Sequence, residues 1–220
     1  MNWANRITMV RIMLIPVIVV LMILFSFGGN TTLFNVFDTT IDFKQYSLPV
    51  TYLIAGILFV IACLTDALDG YVARHYNQVT TFGKFFDSIA DKLLTNAVLI
   101  VFAVAGIIPV WMVVILICRD FIIDVVRQIL ATETVVMSAN KLGKYRAASE
   151  MIGMTILFFA GFRMFGGQTN ASGFWDEYGI VNQLIMIPMY LTTILSIVSA
   201  FNYIYLNRKV LLDTSNRKKD

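Results

Sequence analysis

The stretch Asp66-Ala67-Leu68-Asp69-Gly70-Tyr71-Val72-Ala73-Arg74, followed after eight residues by Gly83-Lys84-Phe85-Phe86-Asp87-Ser88-Ile89-Ala90-Asp91, decides how the chain is read. Each of its four aspartates stands at the end, or a turn inside the end, of a segment apolar enough to span a bilayer. A charge at the edge of hydrocarbon is costly unless it is paired, hydrated or bound to a cation. At the helical step, Asp66 and Asp69 lie about 60° apart with Ala73 between them, and Asp87 and Asp91 are i, i+4 partners with Gly83 a turn earlier. A short connection near Asn77 to Phe82 lets the two faces meet. Four carboxylates so gathered repel one another unless a positive charge joins them, which points to a divalent metal site facing water from within a membrane protein.

Composition agrees. Of 220 residues, 58% are hydrophobic and 14% charged, and the mean hydropathy is +0.76. A soluble domain carries roughly 25% charged residues, so an integral membrane protein is expected. A span needs about 20 apolar residues, and six segments qualify: 7–27, 48–66, 86–107, 109–130, 147–165 and 181–206. The fold expected is an all-α polytopic membrane protein with six transmembrane helices in a single domain covering 1–220. The second helix is expected to run on through about Tyr76, carrying Asp66 to Arg74 outward. Pro49 and Pro109 fall at helix starts, where a missing N–H is harmless. The first 27 residues resemble a signal peptide, but the run from Ile12 to Phe27 is long and lacks a convincing cleavage site, so it reads as a retained span.

Charge orients the bundle. The N-terminus, the 67–92 and 127–146 regions and the C-terminal tail together hold 14 Lys and Arg, against Lys44 and Arg163 on the other side. The positive-inside rule then places both termini and the aspartates in the cytoplasm, with the active site facing it, in a multi-pass plasma-membrane protein. Cys63 and Cys118 both sit in apolar runs and are expected to be small buried hydrophobes rather than a disulfide or thiolate site. A single histidine, His75, gives zinc chemistry little support.

Hard divalent ions such as Mg²⁺ take carboxylate oxygens and keep part of their shell for water or phosphate, and two ions suit phosphate chemistry. Gly70, Ala73 and Gly83 leave room for a diphosphate beside that charge, and Arg74 offers a bidentate fork. Small residues between membrane helices also serve simple tight packing. The whole string resembles, at every defined position, the Asp-x-x-Asp-Gly-x-x-Ala-Arg … Gly-x-x-x-Asp-x-x-x-Asp signature of the CDP-alcohol phosphatidyltransferases. The resemblance implies a six-helix membrane enzyme, usually a homodimer, that moves a phosphatidyl group from CDP-diacylglycerol to an alcohol and releases CMP. It implies that Asp66, Asp69 and Asp87 hold one Mg²⁺ or Mn²⁺ and that Asp66, Asp87 and Asp91 help hold a second. It gives Asp91 the part of general base and Gly70, Ala73, Arg74 and Gly83 the CDP.

The acceptor is read from a second polar region, Cys118-Arg119-Asp120 … Asp124 … Arg127, then Ser138 to Arg146. Asp120, Asp124 and Arg127 share a helical face and are expected to turn inward. Lys141, Lys144 and Arg146, at the start of the fifth span, either anchor it by the positive-inside rule or bind the phosphate of an anionic acceptor. Asn5, Thr8 and Arg11 resemble the Asn-x-x-Thr-x-x-Arg opening of family members that use glycerol 3-phosphate, although a helix cap at Asn5 and Thr8 explains them equally well. Arg119, Arg127 and the Gly143-Lys144 pair resemble the same members; the hydroxyl that often follows is replaced by Ala147. Glycerol 3-phosphate is therefore the expected acceptor. Phosphatidylglycerol, inositol phosphate and serine are the alternatives within the family, and a divalent-cation transporter is the alternative outside it; no nucleic-acid partner is expected.

Overall fold

The computed structural model describes the backbone of residues 3–24, 40–43, 46–75, 81–132, 141–161 and 179–217, and side chains at 8–24, 40–42, 46–66, 86, 89–131, 142–161 and 183–208. Among the described residues the elements are α1 (Trp3–Ile23), β1 (Thr40–Phe43), β2 (Tyr46–Pro49), α2 (Val50–His75), α3 (Thr81–Val104), α4 (Val110–Thr132), α5 (Lys141–Phe159) and α6 (Gly179–Arg217). Each expected span has its helix. The second runs to His75, one residue short of the expected Tyr76, and α2 and α4 each begin directly after a proline, Pro49 and Pro109.

Three features differ from the sequence reading. A two-stranded antiparallel hairpin pairs Thr40 with Pro49 and Phe43 with Tyr46; its strands are too short to give a periodic signal. Helix α5 starts at Lys141 rather than 147, because polar residues in a first turn do not interrupt a helix that begins outside the apolar core. Helix α1 starts at Trp3, so Asn5 and Thr8 lie inside it and neither caps it.

The chain divides into two compact units, residues 1–109 with 154–185, and residues 110–153 with 186–220. In the first, α1 packs on α2 and α3 through Thr8, Arg11, Ile15, Ile18 and Met22, all buried. Their 3-4-3-4 spacing is that of a helix–helix seam. Around Phe158 of α5 stand Phe102 (centroids 4.8 Å apart), Phe59 (5.2 Å) and Tyr52 (6.4 Å). Gly56 admits that helix closely, since a Cβ there would lie 2.9 Å from the Cβ of Phe158. The Tyr46 hydroxyl donates to the Phe159 carbonyl and ties the hairpin to α5. Partial burial raises the Tyr46 pKa, so it stays a donor.

Helix α3 ends in a Schellman motif. Gly106 takes φ 70°, its N–H donates to Ala103 O (3.1 Å), and Ile107 N–H donates to Phe102 O (2.8 Å). Glycine is suited to this left-handed position because it has no Cβ to clash.

The second unit has an apolar core of Ile123, Leu130 and Tyr203. There Gly153 lets Met189 come close, and the Thr192 hydroxyl donates to Pro188 O (2.8 Å) and shares a hydrogen bond with Ser149 Oγ (2.8 Å), joining α5 to α6.

Burial follows an inverted pattern. Arg11, Thr51, Thr95, Arg146, Glu150, Thr192 and Ser199 are inside, while Met13, Ile54, Ile57, Ile61, Leu64, Leu191, Ile194 and Phe201 are exposed at helical spacing. Such faces suit lipid, where interior polar groups must be satisfied by neighbouring helices. Among the described residues Gln183–Arg208 is long and apolar enough to cross a membrane, and Thr8–Ile23 and Val50–Asp66 are shorter apolar helices. Both cysteines are free; Cys63 is half-buried and Cys118, expected inside, lies exposed on α4.

Candidate active site

Helix α2 carries Asp66, Asp69, Gly70, Ala73 and Arg74 on one unbroken rod, and α3 carries Gly83, Asp87 and Asp91 on another. The side chains of Asp66 and Asp91 are described; those of Asp69, Arg74 and Asp87, and the surroundings of Gly70, Ala73 and Gly83, lie outside the described residues. Asp66 is half-buried and accepts from Nη1 of Arg11, which α1 brings in fully buried, at 1% exposure. Within the first unit α1 lies against both α2 and α3, so the two helices that carry the signature share a neighbour whose guanidinium reaches Asp66. Thr95, a turn past Asp91, donates back to the Asp91 carbonyl (3.1 Å), which spares the helix an unsatisfied hydroxyl.

Among the described residues no group of three or more potential metal ligands forms, and Asp69 and Asp87, which would complete one, are outside that set. The donor chemistry fits a hard divalent ion. The signature supplies carboxylate oxygens from two consecutive helices, with His75 the chain's single imidazole, and a donor set dominated by carboxylates suits a hard ion over a softer one.

The acceptor candidates fall in the second unit. Arg119 on α4 donates through Nη2 to Ser199 Oγ (2.7 Å), through Nε to Ser196 O (3.3 Å) and through Nη1 to its neighbour Asp120 (3.0 Å). Arg146 on α5, 8% exposed, donates through Nη2 to Asp120 Oδ2 (2.9 Å) and to Glu150 Oε2 (2.8 Å). Two arginines and two carboxylates therefore form one buried network linking α4, α5 and α6. Arg127, expected to face inward with Asp120 and Asp124, is exposed two turns beyond Asp120, where a long charged side chain reaches out of the packed core. Lys144 is exposed in the first turn of α5; the side chain of Lys141 lies outside the described residues, as does that of Asn5. Thr8 is buried in the α1 seam.

Two residues of these clusters were not singled out from the sequence as site residues. Arg11 is one helical step from Thr8 along an apolar seam, and its burial follows from that spacing. Glu150 stands four residues after Arg146, the helical ion-pair separation.

These features define a predominantly helical, membrane-associated protein with signature aspartates on two consecutive helices. A family model of the CDP-alcohol phosphatidyltransferases matches residues 1–206, and the chain belongs to that family of enzymes. It is similar to the CDP-diacylglycerol–glycerol-3-phosphate 3-phosphatidyltransferase of Bacillus subtilis (strain 168), with 40% identity over 71% of this chain and 76% of that protein. The enzyme of the same name from Mycoplasma genitalium is 36% identical over 71% of this chain and 65% of its own length. That of Rickettsia felis is 30% identical over 92% of this chain and 93% of its own.

Proposed function

We propose that this chain transfers the phosphatidyl group of CDP-diacylglycerol to sn-glycerol 3-phosphate, giving phosphatidylglycerol phosphate and CMP in phospholipid biosynthesis. The observation that carries the reading is the family match over residues 1–206, joined by relatives of that name at 30–40% identity. The acceptor hydroxyl attacks the phosphorus of the phosphatidyl group, the bond to the CMP phosphate breaks, and Asp91 takes the hydroxyl proton. Arg74 donates to the diphosphate oxygens, while Gly70, Ala73 and Gly83 leave the backbone open to them. Two divalent ions, Mg²⁺ or Mn²⁺, held by Asp66, Asp69, Asp87 and Asp91, would supply the positive charge that stabilises the leaving CMP. Arg119, Arg127, Lys141, Lys144 and Arg146, with Asn5 and Thr8, are the acceptor side of the reading, and the basic character of that set favours a phosphorylated alcohol over serine.

The topology proposed is six membrane spans in a homodimer within the plasma membrane. Both termini and the site face the cytoplasm, as the distribution of basic residues supports. The deciding experiment gives purified protein labelled CDP-diacylglycerol, Mg²⁺ and a panel of acceptors. CMP release should depend on glycerol 3-phosphate. Equal release with no acceptor, or preference for serine or inositol phosphate, would sink the assignment.

A further inference from the structure

Arg11 is the charged member of the otherwise largely apolar α1 seam, and it is buried to 1% exposure while Met13, two residues on, is 73% exposed. A membrane anchor by the positive-inside rule would have its guanidinium in water or headgroups. Arg11 instead points inward and bonds Asp66, 55 residues downstream and the first aspartate of the signature. A fully desolvated arginine is an expensive way to join two helices, and neutral small or hydroxylated residues join them elsewhere in this chain.

We infer that Arg11 is a positioning residue for the metal site: its Nη1–H donates to Asp66 Oδ1 and fixes that carboxylate in the orientation that receives the cation. The inference rests on the metal reading above. Groups that orient metal ligands from behind are typically worth about 10–100-fold in metal affinity.

Charge and position make opposite predictions, which gives the test its force. Removing a cation from beside the site should tighten binding of another cation if Arg11 acts only through its field. Losing the orientation of Asp66 should weaken it.

The experiment titrates Mn²⁺ into detergent-purified protein without lipid substrate and follows free Mn²⁺ by electron paramagnetic resonance. Wild type is compared with Arg11→Lys, which keeps the charge and loses the fork, and with Arg11→Gln, which loses the charge. Both variants are expected to bind Mn²⁺ about 10–100-fold more weakly. Their turnover should need correspondingly more Mn²⁺, and at saturating Mn²⁺ the KM for CDP-diacylglycerol should be unchanged. In an Asp66→Asn background, Arg11→Gln should add no further loss, because the effect runs through that carboxylate. Folded variants with unchanged Mn²⁺ affinity would make Arg11 a helix tether only, and tighter binding by Arg11→Gln would make it a repulsive charge; either overturns the inference. Failure of wild type itself to bind Mn²⁺ would overturn the metal reading first. Should neither variant fold, ¹⁵N-arginine-labelled wild type supplies the test. A buried guanidinium signal should move on addition of Mg²⁺, and no response would overturn the inference.

Discussion

The chain buries two clusters of arginine and carboxylate, and they are built to opposite charge balances. In the first unit Arg11 meets Asp66, the first residue of a signature whose defined positions hold four aspartates and one arginine, Arg74. In the second, Arg119 and Arg146 are matched by Asp120 and Glu150, so the cluster is neutral by itself. On the metal reading proposed above, cations from outside complete the first. The second needs nothing added, and an anionic acceptor that used Arg146 would have to displace a carboxylate from it. A buried neutral network holds helices in place, whereas a buried excess of one sign is a site.

The largest effect expected is at the first cluster. Asp91→Asn should lower turnover by a factor of roughly 10² to 10⁴, the usual worth of a general base, while the protein still retains CDP-diacylglycerol. CMP release and lipid binding measure the two separately. Turnover within a fewfold of wild type would remove Asp91 as the base.

Chelation separates the clusters next. EDTA should abolish activity, and Mg²⁺ or Mn²⁺ should restore it. An ion present at about a hundred times its Kd adds about 2.7 kcal/mol to the stability of the folded state, so Mn²⁺ should raise the unfolding midpoint of wild type. That rise should vanish in Asp66→Asn and persist in Glu150→Gln. If Glu150→Gln also loses it, the two clusters are not independent.

The different balances also explain what could be read from sequence. The placing of the aspartates on two consecutive helices was legible because it is local: Asp66 with Asp69 on α2, and Asp87 with Asp91 on α3, are set by helical periodicity within a few residues. The six helices were legible because each carries a long apolar run. Arg11 as a partner of Asp66 was not, because nothing local distinguishes a basic residue ahead of a first span from an anchor; only the packing of α1 on α2 turns it inward. Arg127 was misjudged for the related reason that sharing a face with Asp120 does not fix how far along the helix the packed core extends. The hairpin at Thr40–Pro49 escaped because four-residue strands carry too little period to compete with the neighbouring apolar runs.

The neutral cluster should show itself first in stability, since its arginines reach an acceptor phosphate only by giving up a carboxylate. Asp120→Ala takes the shared carboxylate from both arginines and leaves buried positive charge uncompensated, at a cost of about 3–5 kcal/mol, read as a fall in the unfolding midpoint in detergent. Saturating glycerol 3-phosphate that recovers most of the loss would show its phosphate taking the carboxylate's place, and the cluster would then be a site after all. Arg127 is the contrasting cation, exposed and outside the network. Arg127→Gln should change stability by no more than about 0.5 kcal/mol. If Arg127 contacts the acceptor phosphate, the KM for glycerol 3-phosphate should rise about tenfold, the lower end for a charge-assisted hydrogen bond.

The smallest effect expected is at Gly143, in the first turn of α5 between the two regions of basic sequence. A Cβ there would meet nothing within 4 Å, in contrast to Gly56, where it would strike Phe158. Packing therefore does not require the glycine, and helix propensity alone makes Gly143→Ala stabilising by up to about 1 kcal/mol. Space kept open beside Lys144 and Arg146 at some cost in stability is what an approaching substrate would use. A small gain in the unfolding midpoint with a rise in the KM for glycerol 3-phosphate is the outcome expected. The same gain with an unchanged KM would return the first turn of α5 to plain surface and leave Arg119 and Arg127, on α4, to hold the acceptor.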